Sequence, residues 1–283
     1  MGAIRELHVS AIYDALIRCV ERASFELDPA ELAALKKKAE EERSCAGCGV
    51  LVQLLQNAEV ARTERRPLCQ DTGTAVVRLT IGQDVHFVGG DLDEAVCAAI
   101  AEAWQRFRLR PSVVAHPLQR KNTGNNTPPV LHVRIVPGDR VRVDFMEKGG
   151  GCENMSRLAM LTPAQGRAGV VEFVVRTVVE SGGNACPPLV VGVGIGGNFE
   201  RAALLAKEAL WRPFGEPATD PLNRELEQEL LSRLNATGVG PMGLGGDTTA
   251  LAVHVESAPC HIASLPVAVN LDCHSHRHAT ETL

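Results

Sequence analysis

The sequence predicts an α/β (α+β) protein, a mixed sheet flanked by helices and preceded by an N-terminal helical segment. Three observations carry this. Up to about residue 65 the apolar residues recur at helical spacing; from residue 66 short β-branched runs alternate with helical stretches; and one pair of runs is joined by a tight-turn tripeptide. Alternation of the two element types is the signature of layered sheet-and-helix domains. A length of 283 residues suits a single large domain, 1–283, made of a helical segment over 1–65 and a mixed core over 66–283.

Taken in order, Ile4, Leu7, Ile12, Leu16 and Val20 recur at three- to five-residue spacing and predict a first helix. Asp28-Pro29 starts a second, with Asp28 as cap, Pro29 in the first turn and Glu31 closing a capping box. Its charged stretch from Lys36 to Arg43 reads as a solvated face. A third helix is expected from about Gly49 to Arg62. Ala75–Leu79 and Val85–Val88 are strand candidates, and Leu92–Phe107 is a helix. Val130–Val136 and Arg140–Phe145, joined by Pro137-Gly138-Asp139, predict an antiparallel hairpin. Thr162-Pro163 opens a helix to about Val179. Leu189–Val193 reads as a buried strand and Phe199–Trp211 as a helix. Asp220-Pro221 caps another helix ending near Asn235, and Thr249–Val255 and Ser264–Asn270 close the chain as strands.

Composition excludes several classes. Lys+Arg number 29 against Asp+Glu 34, a net charge of −5, so no basic stripe for nucleic acid is present. Aromatics at 4% leave too few rings for base stacking. No apolar run approaches the ~20 residues that span a bilayer, and MGAIRELHVS lacks a signal pattern. A cytoplasmic protein with no nucleic-acid or membrane partner is expected, and its nine cysteines are expected as reduced thiols.

Four polar, glycine-bearing loops stand out: Pro67–Gly73, Lys121–Pro129, Lys148–Asn154 and Gly183–Pro188. Glycine lets backbone N–H groups approach a ligand closely. Three of the four loops contain a cysteine. Cys69, Cys152, Cys186, Cys260 and Cys273 lie in or beside loops and are the ligand candidates, whereas Cys19 and Cys97 sit on apolar helical faces as core residues. Cys45-Ala-Gly-Cys48 falls between two expected helices, lacks the second pair a zinc site needs, and is read as structural. Cys273-His-Ser-His-Arg-His278 has two readings, a zinc-binding tail whose alternating imidazoles converge or a polar chain end. Gly192-Val-Gly-Ile-Gly-Gly197 carries the GxGxxG pattern after a strand, but no strand ending in a ribose-binding acid follows. An anion at the next helix N-terminus is the other reading of that stretch.

The motifs Asn57-Ala-Glu-Val-Ala61, Pro67-Leu-Cys-Gln-Asp-Thr-Gly73, Lys121-Asn-Thr-Gly124, Lys148-Gly-Gly-Gly151, Ala185-Cys-Pro-Pro188, Gly240-Pro-Met-Gly-Leu-Gly-Gly246 and Leu265-Pro-Val-Ala-Val-Asn270 followed by Cys273 run through nearly the whole chain. In these motifs the chain resembles the alpha subunit of the iron–sulfur hydro-lyases, the two-subunit class I fumarate hydratases and L-tartrate dehydratases. The resemblance implies a [4Fe–4S] cluster on Cys69, Cys186 and Cys273, with one iron left open to act on substrate as a Lewis acid. It further implies Asp71 and His261 as catalytic residues, and Gln70, Arg110 and the Gly150 backbone as substrate-binding groups. Cys152 and Cys260 fall outside its ligand positions. Single-chain relatives carry a further C-terminal domain, so a separate beta subunit is expected as partner, with a small dicarboxylate as substrate. The closing motif favours fumarate/malate, and L-tartrate is the alternative.

Overall fold

The computed structural model describes residues 4–283; Met1–Ala3, part of the stretch inspected for a targeting signal, lie outside the described residues. The chain divides into two compact units. One comprises the residues up to Leu27, Val60–Gly150 and Arg277–Leu283; the other comprises Asp28–Glu59 and Gly151–His276. Helices and mixed sheets together make an α/β fold, as the sequence predicts. Among the described residues no helix is long and apolar enough to cross a membrane.

The first unit opens with strand β1 (Arg5–His8) rather than with a helix. β1 pairs in parallel with β3 (Val85–Val88), Leu7 opposite Phe87. Ile4 is exposed and belongs to no helical face, so the predicted helix loses its first turns. Helix α1 (Val9–Phe25) begins only after His8, whose Nδ1 accepts from the Ser10 N–H at 3.2 Å. Strands β2 (Thr74–Gly82), β4 (Val130–Val136), β5 (Val141–Lys148) and β10 (His278–Thr282) form a sheet in the order β10-β5-β2-β4.

That order corrects the predicted hairpin. β4 and β5 are strands, but β2 lies between them, parallel to β4 and antiparallel to β5. The Pro137-Gly138-Asp139 turn wraps the end of β2: Gln83 N–H donates to Val136 O at 2.8 Å and Asp84 N–H to Gly138 O at 3.0 Å. Turn chemistry fixes a local reversal, and it leaves open whether another strand enters the gap. Helix α4 (Leu92–Arg106), capped by Asp91, packs with α1 over this sheet. Trp104 and Phe145 meet edge to face at 6.4 Å in that core, a favoured aromatic geometry. Cys19 is fully buried there, and burial pushes its thiol up to about 11, consistent with a core role.

In the second unit, helix α2 (Pro29–Glu41) starts where predicted, with Asp28 Oδ1 accepting from Ala30 N–H at 2.8 Å. Glu31 is buried rather than serving a capping box. Helix α3 (Cys45–Glu64) begins earlier than expected and takes the Cys45–Cys48 pair into its first turn. A sheet of order β6-β9-β7-β8 follows, from β6 (Arg157–Leu161), β7 (Leu189–Gly197), β8 (Ala250–Cys260) and β9 (Leu265–Asp272). β7 is parallel to β8 and antiparallel to β9.

Helices α6 (Gly166–Ser181) and α8 (Pro221–Asn235) cover one face of this sheet. Leu189, Val191 and Val193 of β7 point into that layer, as a period of two requires. Helix α7 (Phe199–Ala209) covers the other face, where Ala202 and Ala206 meet Ala268. The intervening β7 residues on that face are Gly192 and Gly194. A Cβ on Gly194 would sit 2.1 Å from Ala202 O, and one on Gly192 2.2 Å from Ala206 O. The GxGxxG stretch therefore lies inside a strand and lets a helix backbone rest on the sheet. It is not the strand-to-helix turn of a dinucleotide site.

Replacing Gly194 by Ala is expected to destabilise the protein by about 1–3 kcal/mol in denaturant unfolding, because backbone must move to admit the methyl. Gly49→Ala in α3, with nothing within 4 Å of the new atom, is expected to stabilise by about 0.5–1 kcal/mol. Equal responses of the two variants would contradict close packing as the role of the β7 glycines.

Candidate active site

In the first unit the residues Cys69, Gln70 and Asp71 lie on the loop entering β2. Gly73 ends that loop at φ 65°, and a Cβ there would fall 2.3 Å from Lys148 O. Only glycine lets this loop lie so close against the end of β5. The result is a clamped carboxylate. Asp71 Oδ2 accepts from Gly150 N–H at 2.8 Å, and Oδ1 accepts from Gly73 N–H at 3.1 Å and from an Arg110 Nη at 3.2 Å. The structure thus joins three predicted site residues, Asp71, Arg110 and Gly150. Cys69 Sγ lies 3.5 Å from Gln70 Oε1, to which its S–H donates.

Arg110 is 62% exposed, so its ion pair is weak and the guanidinium is available to a second anion. Its backbone is nevertheless fixed. Thr72 Oγ1 donates to Arg110 O at 2.6 Å. Asn126, fully buried in the Lys121–Pro129 loop, accepts from Ser112 N–H at 2.7 Å and donates to Gly73 O at 3.2 Å. That loop therefore braces the Asp71 loop against the Arg110 segment. Behind it, buried Glu147 accepts from Ser24 Oγ and, at 2.9 Å, from Arg277 Nη1. Burial pushes the Glu147 carboxyl above its ordinary range, against the pull of Arg277 and Ser24.

In the second unit two more predicted ligands come to one end of the sheet. Cys186 follows the short turn Gly182–Ala185 and precedes β7, and Cys273 directly follows β9. Because β7 and β9 are antiparallel, with Val190 opposite Asp272, the two cysteines leave the sheet on the same side. His274 N–H donates to Cys186 O at 3.4 Å. Cys152, on the short helix α5 (Gly150–Met155), lies beside Cys273: its sulfur, Cys273 Sγ and an Asp272 oxygen all lie within 4.8 Å of one another, all buried. Cys152 was among the loop cysteines, but the motif pattern set it aside.

His261 lies elsewhere. It occupies the turn between β8 and β9, where its Nδ1 accepts from Ala263 N–H at 3.1 Å, and it is exposed. Gly197 pairs with Cys260 at that end of the sheet. At ~3.3 Å per strand residue, the eight residues of β9 separate His261 from Cys273 by about 25 Å. The structure does not bring His261 to the Cys186–Cys273 end of its own sheet. Cys260 sits beside His261, its thiol donating to Ser264 O at 3.3 Å.

The tail is not the extended segment on which three imidazoles would align. His276 N–H closes a turn onto Cys273 O at 3.0 Å, and His276 has φ 26°. Its buried ring meets Asp272 Oδ2 through Nδ1 at 2.7 Å and faces Glu31 Oε1 at 3.6 Å. Burial opposes charge on this imidazole, but the Glu31 and Asp272 carboxylates outweigh it and raise it to about 9. Asp272 in turn accepts from Cys273 N–H at 3.2 Å, so the histidine positions the segment carrying Cys273.

Glu42, expected on a solvated face, is also buried. Its carboxylate accepts from the N–H groups of Ser44 at 3.0 Å, Asp247 at 2.9 Å and Thr248 at 2.9 Å. It thereby clasps the end of the Gly240–Gly246 loop. That loop reaches the Cys186 turn, with Met242 N–H donating to Pro187 O at 2.8 Å.

The structure thus presents thiols at one sheet end and, on another sheet, a carboxylate clamped by backbone N–H and arginine. The family model described as "Fumarate hydratase (Fumerase)" matches residues 13–282. The putative L(+)-tartrate dehydratase subunit alpha of Methanocaldococcus jannaschii is 38% identical over 278 residues, covering 96% of this chain and 97% of the relative. The L(+)-tartrate dehydratase subunit alpha of Escherichia coli K12 is 35% identical over 249 residues, covering 87% and 82%. The chain belongs to the fumarate hydratase (Fumerase) family, a family of hydro-lyases.

Glu42→Ala strands three N–H groups and is expected to cost on the order of 3 kcal/mol in unfolding free energy. Burial opposes the Glu42 charge, but the Asp247, Ser44 and Thr248 hydrogen bonds outweigh it and hold the carboxyl below its usual range. The folded state then binds this proton less readily than the unfolded state. Glu42 therefore stabilises the fold fully above pH ~4.5, and the contribution is lost as pH falls through the lower folded value. Urea unfolding between pH 3 and 7 should show a smaller acid-side loss in Glu42→Ala than in the wild type; parallel curves would rule the clasp out.

Proposed function

We propose that this chain is the alpha subunit of a [4Fe–4S]-dependent hydro-lyase that removes water from a hydroxylated four-carbon dicarboxylate, with L(+)-tartrate as substrate. The observation that carries the reading is the Asp71 clamp, one residue beyond Gln70 and two beyond Cys69, with Gly150 N–H and Arg110 on its two oxygens. The relatives' names favour L(+)-tartrate over fumarate, to which the closing motif pointed. The family description keeps fumarate/malate as the second reading.

Cys69, Cys186 and Cys273 are the proposed cluster ligands. The donor chemistry fits: thiols are the usual ligands of such clusters, and Cys186 and Cys273 leave one sheet end together. When bound, a cluster held by three thiolates supplies one iron open to carboxylate and hydroxyl oxygens as a Lewis acid.

The chain's own residues do the remaining work. Arg110, exposed and weakly paired, binds a substrate carboxylate; Gln70 offers its amide to the same anion. Gly150 N–H and Gly73 N–H hold the Asp71 carboxylate in one orientation. With three of its roughly four lone-pair sites occupied, Asp71 keeps one for the proton leaving the carbon beside a carboxylate. Loss of that proton and of the hydroxyl as water yields the enol of a keto diacid from tartrate. A beta subunit supplies the rest of the site.

The test is anaerobic reconstitution of this chain with its beta partner, assayed on L(+)-tartrate, fumarate and L-malate. Turnover of L(+)-tartrate well above the others is expected, and turnover of none of the three sinks the reading. Serine at Cys69, Cys186 or Cys273 should abolish bound iron and sulfide, whereas Cys260→Ser should retain both. Asp71→Asn should keep the cluster's visible absorbance and lower kcat by roughly 10²–10⁴-fold; full activity in that variant would remove Asp71 from proton transfer.

A further inference from the structure

Cys45 and Cys48 take no part in the chemistry above, and they are placed for chemistry of their own. Both lie in the first turn of α3, Cys45 exposed and Cys48 half-buried. The turn is regular: Cys48 N–H donates to Ser44 O at 2.8 Å, and Ser44 Oγ caps it by accepting from Gly47 N–H at 3.2 Å. Residues three apart on an α-helix share a face, with Cα atoms about 5 Å apart from the helical rise and radius. That separation falls inside the roughly 4.4–6.8 Å a disulfide spans. The Cα separation therefore permits a disulfide within the helix, once the Cys48 side chain turns from Ala39 O toward Cys45.

The surroundings explain the residues between them. Gly47 is buried against Glu42, whose Cδ would stand 3.0 Å from a Cβ there. Ala46 is exposed. Cys48 Sγ points inward to Ala39 O at 3.8 Å, while Cys45 faces solvent. Among the described residues no third and fourth ligand lie with the pair, so they form no closed zinc site.

We propose that Cys45 and Cys48 form a reversible dithiol–disulfide site that exchanges with small disulfides of the glutathione class. The Cys45 thiolate attacks one sulfur of the small disulfide. That S–S bond breaks, one small thiolate leaves with the electron pair, and a mixed disulfide remains on Cys45. The Cys48 thiolate then attacks the Cys45 sulfur and expels the second small thiolate. The protein dithiol is oxidised by two electrons, the small disulfide is reduced to two thiols, and the two cysteine protons end on them. Exposure makes Cys45 the sulfur that is entered, and Cys48 the one that resolves.

The full chain, purified without oxygen, is equilibrated in glutathione buffers from reduced to oxidised, acid-quenched, alkylated and mapped by peptide mass. Trypsin releases Ser44–Arg62, which holds Cys45 and Cys48 and no other cysteine. In oxidising buffer this peptide should lose two hydrogens and both alkylation sites, and regain them in reducing buffer. Cys48→Ser should instead carry one glutathione on Cys45. The proposal is overturned if the wild-type peptide keeps two alkyl groups at every ratio, if it holds glutathione without closing, or if either cysteine links elsewhere. Faster capture of glutathione by Cys48 in Cys45→Ser than by Cys45 in Cys48→Ser would overturn the order of attack. The readout is mass and not turnover, so it stands or falls apart from the hydro-lyase reading.

Discussion

The antiparallel pairing of β7 with β9 is the constraint on which the thiol end depends. It sets Val190 opposite Asp272, and so the segment entering β7 and the segment leaving β9 emerge at the same sheet end. A one-residue slip would turn Val191 and Val193 out of the α6–α8 layer and drive Gly192 and Gly194 away from α7. Both faces of the strand therefore vote for one register. The apolar face prefers it through burial, and the glycine face through a helix approach that no side chain permits. Cys186 and Cys273 inherit their proximity from that double specification, and neither needs a strong interaction of its own.

Around this frame, loops are held by side chains that act as backbone acceptors. Glu42 takes three N–H groups, Asp71 takes two, and Asn126 bridges a carbonyl and an N–H. Glycine-rich loops have no regular ladder to satisfy their polar groups, and burying those groups unpaired is expensive. A carboxylate is the efficient answer because it accepts several bonds at once and each is charge-assisted. The same device that fixes a loop at Glu42 holds the Asp71 carboxylate to which the proposed reaction assigns the proton. The difference is exposure: Glu42 is enclosed, while Asp71 is 28% exposed and meets an exposed arginine.

Local chemistry was legible in the sequence, and long-range pairing was not. Asp28 and Asp220 cap helices that begin where the residues indicate, because a cap is read from neighbours in the chain. The Pro137-Gly138-Asp139 hairpin failed because nothing in the turn reports that β2 enters between its arms. The Gly192–Gly197 motif changed meaning for a related reason: the same glycines serve a phosphate if the strand has ended and a helix if it continues. At the site, Asp71 and Gly150 lie in quoted motifs and Arg110 only in a weaker alignment, and the structure brings the three into contact. His261 matched equally well by spacing, yet β9 carries it to the far sheet end. The place of Cys152 beside Cys273 was hidden because α5 is too short to announce itself by periodicity.

The two halves of the proposed chemistry differ in stiffness, and the difference follows from what each must do. A cluster demands fixed donor positions. His276, Asp272 and the Cys273 N–H accordingly form a buried chain whose members are each held by the next. A substrate must enter and leave. Arg110 accordingly keeps its backbone pinned by Thr72 while its guanidinium stays exposed, bound to Asp71 by a pair that solvent screens. An incoming carboxylate can compete for that guanidinium, and every step of the competition frees a lone pair on Asp71. In the proposed reaction, binding of the anion and readiness of the base would thus be coupled through the Arg110 side chain.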